Sequence, residues 1–88
     1  MYRIVLACQG VPSNEGASRT TNISNEFANR PSHKNVKCHW DGTQLILQAD
    51  NDFDSNGQTL VDEFSDAISA CIDSGFDGDI QILSVTSL

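Results

Sequence analysis

A run of oxygen-bearing side chains between positions 52 and 63 is the clearest candidate for chemistry in this sequence. The stretch DFDSNGQTLVDE has Asp at its first and third positions, Asn at the fifth, Gly at the sixth and Glu at the twelfth. Calcium takes about six to eight oxygen ligands, and loops with this spacing supply them, with a bidentate Glu last and a backbone carbonyl at the seventh position. The spacing predicts a weak calcium site, to which Asp50 adds a further oxygen, with the ligands Asp52, Asp54, Asn56, Gln58 and Glu63.

The chain before this loop departs from the helix–loop–helix motif that the loop resembles, the EF-hand. An entering helix would place apolar side chains at positions 44, 48 and 51, where the sequence has Gln, Gln and Asn. A calcium site here would therefore follow a strand and precede a helix. The alternative interpretation is structural, because Asp, Asn, Ser and Gly are also the usual residues of turns and helix N-termini. Both interpretations remain open.

Two short motifs indicate a different chemistry. The segment CQGV, residues 8–11, lies at the end of the first predicted strand, and the segment VKCHWDG spans positions 36 to 42. They resemble the Q-G-V and V-R-N-x-x-D-G motifs of the acylphosphatase family. The resemblance implies a β-α-β-β-α-β fold and hydrolysis of acyl phosphates by means of a phosphate-binding Arg and a catalytic Asn. In this chain the first Arg after Val11 is Arg19, and Cys38 stands at the position of the Asn.

The remaining reactive side chains form no recognisable catalytic series. An anion site would need Arg19 together with the backbone amides of residues 16–18 at the start of a helix. We identify no nucleophile, base and orienting acid of the kind that nucleophilic catalysis combines. Cys8, Cys38 and Cys71 are odd in number, form no C-x-x-C motif and fall on apolar stripes, so we expect free, buried thiols. We predict that the protein is not an enzyme and has no cofactor other than calcium.

Charge is divided unevenly along the chain. All five Lys and Arg residues lie in the first 37 positions, where only Glu15 and Glu26 oppose them. Residues 38–88 contain ten acidic residues and no Lys or Arg, and the net charge of the chain is -7. This pattern excludes the basic surface of a nucleic-acid-binding protein, and no apolar run has the length of a membrane span. An acidic surface favours a basic protein partner, and the lack of a secretory signal pattern favours the cytoplasm.

Hydrophobic periodicity predicts two helices and the first and last strands of the chain. The apolar stripe of the first helix is formed by Ala17, Thr20, Ile23 and Phe27. At the start of the second helix, Ser55 and Gln58 have the spacing of a capping box. The predicted strands cover residues 2–9 and 79–88, the predicted helices cover residues 17–30 and 58–73, and residues 10–16 form a loop.

The pair Asp41-Gly42 marks a hairpin between positions 36 and 48, because Asp-Gly is preferred in two-residue type I′ turns. This turn would place Trp40 opposite Thr43 and Cys38 opposite Leu45. Alternation then divides the hairpin into an apolar and a mainly polar face. The apolar face contains Val36, Cys38, Trp40, Thr43, Leu45 and Leu47, and the other contains Lys37, His39, Gln44, Ile46 and Gln48.

The element order β-α-β-β-α-β predicts one α+β domain over residues 1–88 with the ferredoxin-like, split β-α-β fold. In this fold the first and third strands lie at the centre of a four-stranded antiparallel sheet, and both helices cover one face. Val5, Ala7 and Ile46 would lie in the middle of the uncovered face. We expect that face to be a partly exposed sheet surface or a docking surface, including a homodimer interface.

The acidic residues of the second helix complete the functional hypothesis. Asp62 and Asp66 lie opposite the apolar stripe, with no Lys one turn away to offset them, and Asp73 lies at the negative end of the helix. The leading hypothesis is a small acidic protein-interaction module, such as an immunity or inhibitor protein, that binds a basic partner through Asp62, Asp66, Asp73, Val5 and Ile46. There are two alternatives: a calcium-binding regulatory domain, and an acylphosphatase-like enzyme without the expected Arg and Asn.

Overall fold

A computed structural model of the chain describes residues 1–11, 13–30, 32–71 and 79–88. Its elements follow the order β-α-β-β-α-β, which confirms the predicted ferredoxin-like α+β fold. Within the described residues, no helix is long and apolar enough to cross a membrane. The elements are β1 (Tyr2–Cys8), α1 (Ser13–Ala28), β2 (Lys34–Trp40), β3 (Leu45–Asn51), α2 (Gln58–Cys71) and β4 (Ile80–Ser87).

The four strands form one antiparallel sheet in the order β2-β3-β1-β4. β1 and β3 are central, as predicted. Alternate residues of these two strands, such as Leu6 and Leu47, are fully buried against the helices. Because successive side chains of a strand point to opposite faces, the intervening residues form the uncovered face. The buried core joins both central strands to both helices through Ile4, Leu6, Cys8, Leu45, Leu47, Ala49, Ile23, Phe27, Leu60, Phe64, Ala67 and Ile68.

The predicted turn of the β2–β3 hairpin is wrong by two residues. Trp40 pairs with Leu45 rather than with Thr43, so the connection has four residues, 41–44. The Asp41 carboxylate stabilises this longer turn by accepting hydrogen bonds from the backbone N–H groups of Thr43 (2.9 Å) and Gln44 (2.8 Å). These two bonds also lower the pKa of Asp41. A shift of two residues preserves strand alternation, so the paired residues keep their predicted faces.

The first helix begins earlier than predicted. α1 starts at Ser13, so residues 13–16 are helical and not part of a loop. Ile23 and Phe27 are buried as expected, whereas Ala17 is exposed. Gly16 is buried in place of Ala17, because Trp40 of β2 lies directly against its backbone. The inward stripe of α1 is therefore set by the position of one aromatic ring as much as by apolar side chains.

The contact between Gly16 and Trp40 generates a stability prediction. Gly to Ala in an exposed helix position stabilises by about 1 kcal/mol, but here a Cβ would overlap ring carbons of Trp40. We expect Gly16→Ala to destabilise the protein by about 1–3 kcal/mol in urea unfolding, the usual cost of overpacking. In a Trp40→Ala background, the same substitution should be neutral or stabilising. Equal effects in both backgrounds would show that the ring does not restrict position 16.

Candidate functional site

The start of α2 is capped by Asp54 and not by the predicted pair Ser55 and Gln58. The buried Asp54 carboxylate accepts hydrogen bonds from the backbone N–H groups of Thr59 (3.2 Å) and Leu60 (2.9 Å). Its own backbone carbonyl accepts a bond from Gly57. These bonds satisfy N–H groups that have no partner inside the helix, and they place a negative charge at its positive end.

The turn before α2 is organised by Asn51, the last residue of β3. Its Oδ1 accepts hydrogen bonds from the backbone N–H groups of Phe53 (3.3 Å) and Asp54 (2.9 Å). This fixes the orientation of the amide, so that Nδ2 faces Nδ1 of His33 at 3.2 Å. An amide nitrogen only donates, so Nδ1 of His33 is the acceptor and the imidazole carries its proton on Nε2.

Nε2 of His33 in turn donates to the carboxylate of Glu63 on α2. The other oxygen of Glu63 forms an ion pair with Arg30 at 3.2 Å, and the Arg30 guanidinium lies over the ring of Phe27. The side chain of His33 is fully buried. We call Arg30, His33, Asn51 and Glu63 the His33 network. It connects the end of α1, the entry to β2, the end of β3 and the middle of α2.

The structure places the five predicted calcium ligands in this region but gives several of them other partners. Asp52 is exposed, Asp54 caps α2, and Oδ1 of Asn56 accepts a bond from the backbone N–H of Gln58 (3.0 Å). Glu63 belongs to the His33 network. Within the described residues, no group of three or more His, Cys, Asp or Glu side chains is arranged to hold a metal ion. Calcium binding by this loop stays a prediction.

The uncovered face of the sheet carries the two predicted apolar docking residues. Val5 pairs with Gln48 on one side and Ser84 on the other, and Ile46 lies between Ala7 and His39. Val5 and Ile46 are only half-buried, whereas Ala7 is buried. The centre of this face is thus a small apolar area within a mainly polar surface.

A salt bridge between β1 and β3 lies at one end of the uncovered face. Arg3 of β1 contacts both carboxylate oxygens of Asp50 of β3 at 3.0 Å. Asn35, which has a left-handed backbone (φ 54°) at the register shift in β2, donates a further bond to Asp50. The bonds from Arg3 and Asn35 outweigh burial and lower the pKa of Asp50.

The predicted acidic residues of α2 lie on the opposite side of the molecule from Val5 and Ile46. α2 buries Leu60, Phe64, Ala67 and Ile68 against the sheet and exposes Asp62 and Asp66. The acidic helix face and the uncovered sheet face therefore do not form one surface. Asp73, the third predicted acidic residue, lies outside the described residues.

Arg19 and Cys38, the two residues that the acylphosphatase resemblance singles out, lie on different elements, α1 and β2. Arg19 lies in the second turn of α1, in a groove between the helices that is also lined by Ala70 and Cys71. The amides of residues 17 and 18 belong to the body of α1 rather than to its start, since the helix begins at Ser13. Cys38 faces the core, and burial raises the pKa of its thiol to about 12. Burial likewise raises the pKa of Cys8 to about 12, and it also raises that of Cys71.

The His33 network is the main feature that the sequence did not predict. His33 stands in a short polar stretch, and its partners lie 18 and 30 positions further along the chain. The local signal that Asn51 and Asp54 belong to a turn and a helix start was present, but no local pattern connects either residue to His33.

No protein-family model, curated protein sequence or solved structure gives a significant match to this chain. Function is therefore inferred from the arrangement of the described residues.

The His33 network predicts a structural role for Glu63 that needs no calcium. Glu63→Ala would leave the buried Nε2–H of His33 without an acceptor, so we expect a loss of about 2 kcal/mol of unfolding free energy. The neighbouring Asp62→Ala, on the exposed face of the same helix turn, should change stability by no more than about 0.5 kcal/mol. Both are measured by urea unfolding in a metal chelator. Equal stability of the two variants would contradict the network.

The salt bridge of Asp50 predicts a pH dependence. The folded-state pKa of the Asp50 carboxyl is lowered. The salt bridge therefore stabilises the folded state fully above the ordinary carboxyl pKa of about 4, and this stabilisation is lost as the pH falls through the lower folded-state pKa. We expect the wild type to be more stable than Arg3→Gln at neutral pH, and this difference to shrink as the pH falls below about 4. In an Asp50→Asn background, Arg3→Gln should have no such pH dependence. A pH-independent difference in both backgrounds would assign the role of Arg3 to packing alone.

Proposed function

We propose that this protein is a small protein-binding module that uses the outer face of α2 to bind a basic partner protein. The observation that carries the proposal is that Asp62 and Asp66 are exposed and have no ion-pair partner among the residues that the structure describes. The two residues lie one helical turn apart. Like charges at this spacing cost an isolated helix about 0.2–0.5 kcal/mol. A cationic group of a partner would attract both carboxylates and so offset this repulsion.

The lack of basic residues in α2 supports the choice of its outer face as the binding surface. The helix contains no Lys or Arg from Gln58 to Cys71, so no charge of its own sequence screens the two carboxylates. Glu63, the third acid of the helix, is held by Arg30 and His33. The partner would therefore meet Asp62 and Asp66, whereas Glu63 acts inside the fold.

A binding function rather than a catalytic one fits the reactive groups of the described chain. The side chain of His33 is fully buried and bonded on both ring nitrogens. The three thiols have raised pKa values and stay protonated at neutral pH. Free cysteines are also usual in a reducing compartment, which supports a cytoplasmic site of action. A basic enzyme that is inhibited on binding is the concrete form of partner that we would test first.

Charge reversal tests the proposal. The variant Asp62→Lys/Asp66→Lys should lose capture of basic proteins from a lysate of the cells that produce this chain. The matched variant Asp52→Lys/Asp79→Lys changes two other exposed acids and the net charge equally, and should retain capture. For a purified partner, the α2 reversal should weaken affinity at least about tenfold, and added salt should weaken wild-type binding. Equal affinity of the two variants would show that α2 is not the binding surface.

A further inference from the structure

The two edges of the sheet differ in how they oppose pairing with another strand. β2 has exposed Lys34, Lys37 and His39, and its ladder is interrupted by the register shift at Asn35. Charged side chains and a local irregularity at a sheet edge prevent another chain from adding a strand. β2 is therefore a protected edge.

β4 also has a register shift, in its pairing with β1, but it lacks the charged side chains that protect β2. Its eight residues, Ile80–Ser87, contain no charged side chain, and most of them are exposed. β1 occupies one side of β4, and no described strand pairs with the other side. In a strand at a sheet edge, the backbone N–H and C=O groups on the free side can bond to a further strand.

Exposed apolar side chains accompany this free backbone. Ile82 pairs with Leu6 and therefore faces the helix side, where its end contacts Gly57 before α2, yet 41% of the residue is exposed. Leu83 is the extra residue at the register shift opposite Val5 and Leu6, and it is 53% exposed. The shift bends the strand but adds no charge to it. An added strand would cover both side chains.

We propose that β4 pairs antiparallel with β4 of a second copy of this chain, so that two four-stranded sheets become one eight-stranded sheet. Antiparallel pairing of a strand with itself about a two-fold axis is closed and self-complementary. The charge of the chain does not oppose this contact locally, because each copy has a net charge of -7 but residues 80–88 contain no charged side chain. A basic partner, in contrast, would find no carboxylate on this strand.

This dimer is independent of the proposed binding function, and salt distinguishes the two. Two copies of net charge -7 repel one another, and salt screens that repulsion. The dimer should therefore tighten as salt is added, whereas binding of a basic partner by α2 should weaken.

The test is sedimentation of the purified full chain from roughly 10 µM to 1 mM at low and high salt, combined with amide hydrogen exchange at both ends of that range. Leu83→Lys places a charge on the β4 edge. His39→Lys adds the same charge to the exposed β2 edge and is the matched control.

We expect a reversible dimer, concentration-dependent protection of β4 amides but not β2 amides, and a dissociation constant raised at least about tenfold by Leu83→Lys and unchanged by His39→Lys. Any of the following results would overturn the proposal: a monomer over the whole range, growth beyond a dimer, equal dimerisation of both variants, or concentration-dependent amide protection at Val5 and Ile46 in place of β4. Binding of an extended segment of another protein by monomeric β4 would likewise remove the second copy as its occupant. The exchange experiment uses the wild type, so it decides the matter even where a variant is unstable.

Discussion

The side chain of Asn51 is the point from which the second half of the fold is organised. One amide group binds two backbone N–H groups through its oxygen and the buried imidazole of His33 through its nitrogen. Because His33 must then donate from Nε2, Glu63 on α2 becomes its necessary acceptor. A single amide orientation thus determines the turn after β3, the tautomer of His33 and the position of α2 relative to β3. A buried network of this kind stabilises only when every member has a partner.

The same turn explains why the sequence imitates a calcium loop. Helix N-terminal N–H groups and calcium ions both attract carboxylate and amide oxygens, so both tasks select Asp, Asn and Glu at close spacing. In this chain the oxygens of Asp54 and Asn56 face backbone N–H groups, and those of Glu63 face His33 and Arg30. A cation would have to displace these donors. The motif and the folded turn therefore compete for the same atoms.

Local patterns in the sequence were sufficient for the element order and for most strand faces. Alternation in β1 and β3 and the stripe of α2 depend on residues a few positions apart, so periodicity reveals them. The register of the hairpin was not predictable from Asp-Gly alone, because the side chain of Asp41 also bonds the two residues after Gly42. Near the start of α1, Gly16 lies against Trp40, and the His33 network joins residues from three segments. Contacts between distant segments leave no local pattern.

Folding converts the uneven charge of the chain into an uneven surface. Arg3 and Arg30 are engaged by Asp50 and Glu63, which leaves Lys34 and Lys37 exposed at the β2 edge and Asp62 and Asp66 exposed on α2. The uncharged β4 edge contains residues of neither region.

In a β4–β4 dimer the two-fold axis is perpendicular to the joined sheet, so both helix layers lie on the same side. Two acidic α2 faces would then point in one direction. Such a dimer would engage a partner that carries two basic sites with an effective concentration set by the rigid sheet between them. The dimer edge and the acidic helix would thus act together without sharing a residue.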